Sequence, residues 1–275
     1  MQPRILIIYT GGTIGMIEDP KSKALAPFDF SHLMENVPKV KMLDYHIDNI
    51  QFAPPIDSSD MNPEHWQHIT SSIARNYDDY DGFVVLHGTD TMAYTASALS
   101  FMLQGLSKPV IITGSQLPIG EVRTDGEENL ITALQIAAAK GSDGRPMVQE
   151  VAILFENYLW RGCRSTKRSA DHFNAFRSNN YPYLAKIGLG ITYDQDSLDR
   201  TEGKTLRVFR KLDTSVMCID LFPGLNETTL RHQLATPGIK GIVLRTYGAG
   251  NGPTAPWFIS AIREACNRGI DLLNA

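Results

Sequence analysis

Apolar residues in this chain gather in short, nearly unbroken runs. "ILIIY" (5–9), "GFVVLH" (82–87), "PVIITG" (109–114), "EVAILFE" (150–156) and "GIVLRT" (241–246) are rich in Val and Ile and bounded by Gly or Pro. Runs that do not alternate with polar residues predict strands covered on both faces. Between them the apolar spacing turns helical. Asn62 followed by Pro63 predicts a helix start, with Asn as N-cap and Pro at the first helical position. A second helix is predicted from Thr91 to Leu103. Thr124 and Glu127 match a capping box ahead of Leu130, Ile131, Leu134 and Ala138, which share one helical face. Strand and helix in alternation predict an α/β fold built on a doubly wound parallel sheet. Such sheets bind ligands at the carboxyl ends of their strands.

Four loops fall at those ends or beside them. The first strand runs into "TGGTIGM", the second into "HGTDTM" and the third into "TGSQLP", while "PPIDSSDMNP" (54–63) precedes the first helix. Three of these carry glycine beside hydroxyl side chains, and the fourth supplies Asp57, Ser58 and Ser59. A phosphate cradle in the first loop is disfavoured. Gly11, Gly12 and Gly15 lack the spacing of a dinucleotide fingerprint or Walker loop, and no helical pattern follows them. A plain turn and a loop presenting Thr13 both stay open. Thr89 and Asp90 are favoured N-cap residues for the helix after them, so capping and chemistry compete there. His65 and His68 stand three apart on a helix without a third ligand and read as surface residues. Lys167, taken alone, is a solvated lysine in the basic run Arg161, Arg164, Lys167 and Arg168.

Composition narrows the partners. The chain has 275 residues, 43% hydrophobic and 20% charged, which suits one large domain or two smaller ones. With 26 basic against 30 acidic residues the net charge is −4, so neither nucleic acid nor an anionic membrane is indicated. Cys163, Cys218 and Cys266 lie far apart without C-x-x-C spacing, which argues against a disulfide framework and a zinc site. No metal and no cofactor is expected. The N-terminus is too short in apolar residues for a secretion signal, and no run reaches the ~18 apolar residues of a membrane span. A cytoplasmic protein is expected. A first α/β domain is predicted over residues 1–190. The polar stretch "YDQDSLDRTEGKT" makes 191–212 a predicted linker, and 213–275 would begin a smaller C-terminal α/β domain. That last segment is too short to bury a good core alone.

Taken in order, "TGGTIGM", "DSSDM", "HGTDTMAYTASALSFML", "TGSQLP", "RTDGEENL" and "LWRGCRSTK" resemble the bacterial-type L-asparaginases, and among them the cytoplasmic type I branch. The resemblance runs from Ile5 to about Leu273, and the motifs around Thr13 and around Thr89-Asp90 are specific as a pair. It implies hydrolysis of L-asparagine to L-aspartate and ammonia by a homodimer or homotetramer. Thr13 matches the nucleophile that becomes acylated. Thr89, Asp90 and Lys167 match a second catalytic set. Asp57, Ser58 and Ser59 match the loop that holds the substrate's α-carboxylate and α-amino group, and Asp90 also matches a partner of the ammonium. The main chain at Ser115 matches the position that recognises the leaving amide. Arg245, Thr246 and Tyr247 match a segment that in some type I relatives binds a second, activating asparagine. There are two departures. The family's lid Tyr aligns with Leu25, and family members continue well past the point matching Ala275.

These residue types suit the implied reaction. A threonine hydroxyl is a poor nucleophile near neutral pH, so it needs a base and donors for the oxyanion. Lys167 suits the base, Asp90 would hold Lys167 and the substrate ammonium, and Thr89 would position the hydrolytic water. Glycines around Thr13 let the loop turn tightly and close over substrate. Two rivals belong to other classes. One is an amidotransferase subunit of the same fold that feeds ammonia to a partner, a type that usually carries an extra N-terminal domain. The other is a non-catalytic flavodoxin-like binding module, which needs no paired threonines.

Overall fold

The computed structural model describes residues 2–18, 25–27, 37–200 and 202–275. Two compact units divide the chain, Met1–Arg210 and Lys211–Ala275. The first unit holds β1 (Arg4–Tyr9), β2 (Met16–Glu18), β3 (Leu25–Pro27), β4 (His46–Gln51), β5 (Gly82–Leu86), β6 (Leu103–Gln104) and β7 (Val110–Thr113). It continues with β8 (Val151–Phe155), β9 (Tyr158–Arg161), β10 (Ser165–Lys167), β11 (Phe176–Ser178), β12 (Ala185–Ile187), β13 (Ile191–Tyr193) and β14 (Arg207–Val208). Its helices are α1 (Pro63–Arg75), α2 (Met92–Met102) and α3 (Gly126–Ala138).

Eight strands form one sheet in the order β13-β12-β9-β8-β7-β5-β1-β4. β4, β1, β5, β7 and β8 are parallel, whereas β9, β12 and β13 extend one edge in antiparallel pairing. Alternation along β1 explains its unbroken apolar run. Ile5, Ile7 and Tyr9 join one core with Leu130, Ala133 and Leu134 of α3. Leu6 and Ile8 join the opposite core with Ile69 and Ile73 of α1 and with Ala96 and Leu99 of α2. Helices therefore cover both faces, and each buried Leu or Ile side chain contributes roughly 1.5–3 kcal/mol. The next two strands of the sheet along the chain lie on opposite sides of β1, β4 on one side and β5 on the other. The carboxyl end of β1 is thus a point where strand order reverses, the usual place for a ligand.

Local signals held at α1 and failed at α3. The Asn62 side chain accepts hydrogen bonds from the amides of Glu64 at 3.0 Å and His65 at 3.2 Å, as its N-cap role predicts. The capping box of Thr124 and Glu127 does not form. Thr124 Oγ1 accepts from the Gly126 amide at 2.9 Å, and Glu127 turns outward to Lys39 at 2.8 Å. Asp125 stands at the N-cap position of α3, yet its carboxylate points back to the loop after β7.

The expected linker at 191–212 is corrected as well. Residues 191–193 are β13, paired with β12 in the main sheet, and Arg207–Val208 pairs with Leu103–Gln104. Backbone pairing keeps this polar segment in the first unit as far as Arg210. Hydrophobicity alone could not show it, because β13 reads Ile-Thr-Tyr and is half exposed. Just beyond Thr13, β2 and β3 form a hairpin in which Leu25, the residue aligned with the lid Tyr, pairs with Glu18.

The second unit is a parallel sheet of β15 (Val216–Asp220), β16 (Gly241–Arg245) and β17 (Asp271–Asn274), with α4 (Glu227–Leu234) and α5 (Pro256–Asn267). Ile219, Leu230, Ile242, Leu244, Phe258 and Ala261 form its own apolar cluster. No helix among the described residues is long and apolar enough to cross a membrane.

Candidate active site

Loops from the ends of β1, β5 and β7 meet the segment after β4, and their glycines show how closely. Gly11 has φ 136° and Gly12 has φ 93°, a region open to glycine and strained for other residues. Gly11 lies against the Ile56 backbone, and the Ile56 amide donates to Thr10 O at 2.7 Å. Gly12 lies against Gly88, and a Cβ on Gly88 would stand 2.6 Å from Ser58 Oγ. Three loops therefore touch around Gly12, and Thr13 follows directly as the first residue of a single 3-10 turn, Thr13–Gly15. The far end of that turn is fastened by the Tyr9 hydroxyl, which donates to Gly15 O at 3.1 Å. Burial pushes the Tyr9 phenol up to about 12, so it keeps the proton it donates.

A Cβ on Gly12 would collide with the Gly88 nitrogen and lie 2.6 Å from Gly88 Cα. Both are backbone atoms, so neither can rotate away. Gly12→Ala should then cost about 2–4 kcal/mol of stability and disturb the Thr13 turn. A denaturant midpoint equal to that of the parent would contradict this packing.

Thr89 and Asp90 do not cap α2. The N-cap of α2 is Thr91, which makes no side-chain capping bond and donates instead to Ser58 O at 2.6 Å. Thr89 and Asp90 meet Lys167, which arrives from the β10–β11 hairpin. Lys167 Nζ donates to Thr89 Oγ1 at 2.8 Å and contacts Asp90 Oδ1 at 2.7 Å. The Lys167 side chain is only 17% exposed, whereas that of Asp90 is 66% exposed. The solvated reading of Lys167 is overturned, and Asp90 stays open to a ligand. Beneath this loop His87 is fully buried, with Nδ1 2.7 Å from Gly88 O and Nε2 2.8 Å from Thr95 Oγ1. Burial pushes its pKa down to about 4, so near neutral pH the ring is uncharged and donates from Nδ1 to the carbonyl.

Asp57 and Ser59 sit side by side, and Asp57 Oδ1 accepts from Ser59 N at 2.9 Å and from Ser59 Oγ at 2.8 Å. The backbone hydrogen bond first, then the hydroxyl, holds the Asp57 carboxyl below its ordinary range. Ser58 is buried and its Oγ faces Gly88. Ser115 is buried after β7 and donates from Oγ to Leu117 O at 2.5 Å. Residues expected near the substrate thus occupy four loops on one end of the sheet.

Arg245, Thr246 and Tyr247 lie in the second unit, at and beyond the end of β16. Arg245 pairs with Asp220 at 3.2 Å, and Thr246 Oγ1 donates to Asn274 Oδ1 at 2.7 Å. His68 stacks on Phe52 with ring centroids 4.3 Å apart. No group of three His, Cys, Asp or Glu among the described residues is placed to hold a metal ion. Sequence reading did not single out Gln116, Asp125 or Asn129. Asp125 Oδ1 and Oδ2 each accept from Gln116 N at 3.0 Å, and Asn129 Nδ2 donates to Gly114 O at 2.9 Å. The available signal was Asp125 and Asn129 four apart on one helical face.

Comparison with known proteins agrees with this geometry. The "Asparaginase, N-terminal" family model matches residues 4–199, and the "Glutaminase/Asparaginase C-terminal domain" model matches 215–275. L-asparaginase 1 of Escherichia coli K12 is 43% identical over 274 residues, covering 98% of this chain and 78% of that protein. The mouse 60 kDa lysophospholipase is 38% identical, over 98% of this chain and 51% of its own length. The crystal structure of L-asparaginase I from Vibrio cholerae superposes with a TM-score of 0.88 at 39% identity, covering 98% of this chain and 80% of that one. Two consecutive family models, a relative matched over most of its length and a shared fold agree with the loops gathered around Gly12: the chain belongs to the asparaginase family.

Proposed function

We infer that this protein is an L-asparaginase that hydrolyses L-asparagine to L-aspartate and ammonia through an ester formed on Thr13. The observation that carries the reading is Lys167 reaching both Thr89 Oγ1 and Asp90 Oδ1, on a loop that touches the Thr13 turn through Gly12 and Gly88. Thr13 Oγ attacks the side-chain amide carbon and passes its proton to a base. The tetrahedral intermediate collapses, the C–N bond breaks, and ammonia leaves with a proton. Water then attacks the ester carbon, and Thr13 recovers its hydrogen as aspartate departs. Lys167 serves as the base or tunes it, Thr89 positions the water, and exposed Asp90 pairs with the substrate ammonium. Ser58 and its neighbours Asp57 and Ser59 hold the α-substituents, while the main chain at Ser115 faces the leaving amide.

Purified protein alone, given L-asparagine, should release ammonia and aspartate in equal amounts. No release would overturn the reading, because an amidotransferase subunit needs its partner and a binding module performs no turnover. Propionamide should be a poor substrate. It lacks the ammonium and carboxylate, and a site built for charged groups then leaves its own partners unpaired. A specificity constant for propionamide close to that for asparagine would refute the role of Asp90 and Ser58.

A further inference from the structure

The loop after β7 carries one side chain that the reaction above does not use. Gln116 spans the space between Thr89 and the turn of the β10–β11 hairpin. Its carboxamide nitrogen donates to Ala170 O and to His172 O, both at 3.1 Å. Two carbonyl acceptors decide which end of the amide is nitrogen, since the flipped group would set oxygen against oxygen. Gln116 Oε1 then faces Thr89 Oγ1 at 3.4 Å, a long hydrogen bond. A carbonyl oxygen can only accept, so the Thr89 hydroxyl is the donor. Lys167 Nζ reaches the same Thr89 oxygen at 2.8 Å, and with the Thr89 hydrogen directed at Gln116 the nitrogen is the donor there. The Thr89 hydroxyl therefore donates to Gln116 and accepts from Lys167.

The Gln116 backbone is anchored independently. Asp125, itself buried, accepts from the Gln116 amide through both oxygens and from the Leu117 amide at 3.1 Å. Asn129 Nδ2 steadies that carboxylate at 3.2 Å. One residue is thus fixed at its backbone by α3 and at its amide by the turn that follows Lys167.

We infer that Gln116 is a positioning residue for the reaction. Its amide nitrogen holds the 169–174 turn, which sets where Lys167 stands, and its oxygen accepts the Thr89 hydroxyl hydrogen bond so that a lone pair of Thr89 faces Lys167. The inference rests on the reaction proposed at Thr13. An amide is needed for both tasks, since two donors and an acceptor must leave one planar group. Methionine keeps the volume and loses every one of these bonds. Glutamate keeps the acceptor but sets oxygen against the two carbonyls, until a proton restores one donor.

The test compares Gln116→Met and Gln116→Glu with the parent in steady-state kinetics on asparagine and in limited trypsin digestion. Gln116→Met should lower kcat by about 10- to 100-fold, the loss expected of one or two hydrogen bonds, with KM changed by less than about threefold. Trypsin should cut after the exposed Arg168 faster in both variants. Gln116→Glu should recover part of its activity relative to the parent as pH falls from 8 to 5. A side chain that merely staples the turn would change the trypsin cut and leave kcat as it was, and that result would overturn the inference. An active parent with Gln116→Met within about threefold in kcat removes this inference alone, whereas an inactive parent removes the proposed reaction with it.

Discussion

Replacing Thr13 by valine is expected to abolish asparagine hydrolysis while the protein stays folded. Thr13 sits at the start of a 3-10 turn whose entry is fixed by Gly12 and whose exit is fixed by the Tyr9–Gly15 bond. Valine is β-branched like threonine, so it meets the same backbone restrictions and nearly the same volume. What disappears is the oxygen proposed to become the ester. Removing a nucleophile that acts with its base as a unit typically costs about 10⁴-fold or more in kcat. Asparagine binding, measured by calorimetry, should survive, because the groups proposed to read the α-substituents lie on other loops. A Thr13→Val enzyme within tenfold of the parent would dismiss Thr13 as nucleophile. The thermal midpoint should stay near that of the parent, which separates a lost hydroxyl from a lost fold.

The second large effect belongs to Lys167→Met. Methionine replaces one unbranched stem by another and so preserves most of the packing around a side chain that is largely buried. It removes the nitrogen that joins Thr89 to Asp90. Loss of a positioned base typically lowers turnover by about 10²–10⁴-fold. KM for asparagine should change less, because the exposed Asp90 carboxylate, the proposed partner of the ammonium, is kept and freed of its competing partner. A fall in kcat of under tenfold would show that Lys167 only spaces the loop. Together the two variants distinguish the attacking atom from the machinery that moves its proton.

Much of this site was legible in the chain, and the reason is local. β1, β5, β7 and β8 are buried on both faces, so their apolar runs could be seen without knowing which strands pair. The loops at their ends carry Thr13, Thr89, Asp90 and Ser115, and strand order did the rest. β4 was invisible for the opposite reason. It reads His-Ile-Asp-Asn-Ile-Gln, lies at the sheet edge and is nowhere fully buried, so no apolar run announces it. The antiparallel strands β12 and β13 are three residues each, too short for any period to show. Thr124 and Glu127 looked like a capping box because the spacing was right. Tertiary contacts won: Lys39 took the glutamate, and the Gly126 amide took the threonine oxygen. Lys167 was nominated only by resemblance, since nothing in a basic run says that one of its members turns inward. Gln116 does not stand out within TGSQLP, because its importance lies in two carbonyls more than fifty positions away.

That dependence on distant segments has a kinetic side. Lys167 and Thr89 are 78 positions apart, and Asp90 is 77 from the same lysine. Helices α1, α2 and α3 are built from contacts within a few residues and can form before the chain has a topology, whereas closing loops of this length has a conformational cost that must be met before any contact repays it. By contact order, the lysine is expected to reach its partners after β5, β7 and β8 have paired and β9 has turned back to deliver the β10–β11 hairpin. Recovery of turnover in a refolding chain should therefore be a late clock, set by long-range registration, and should lag the return of helical signal.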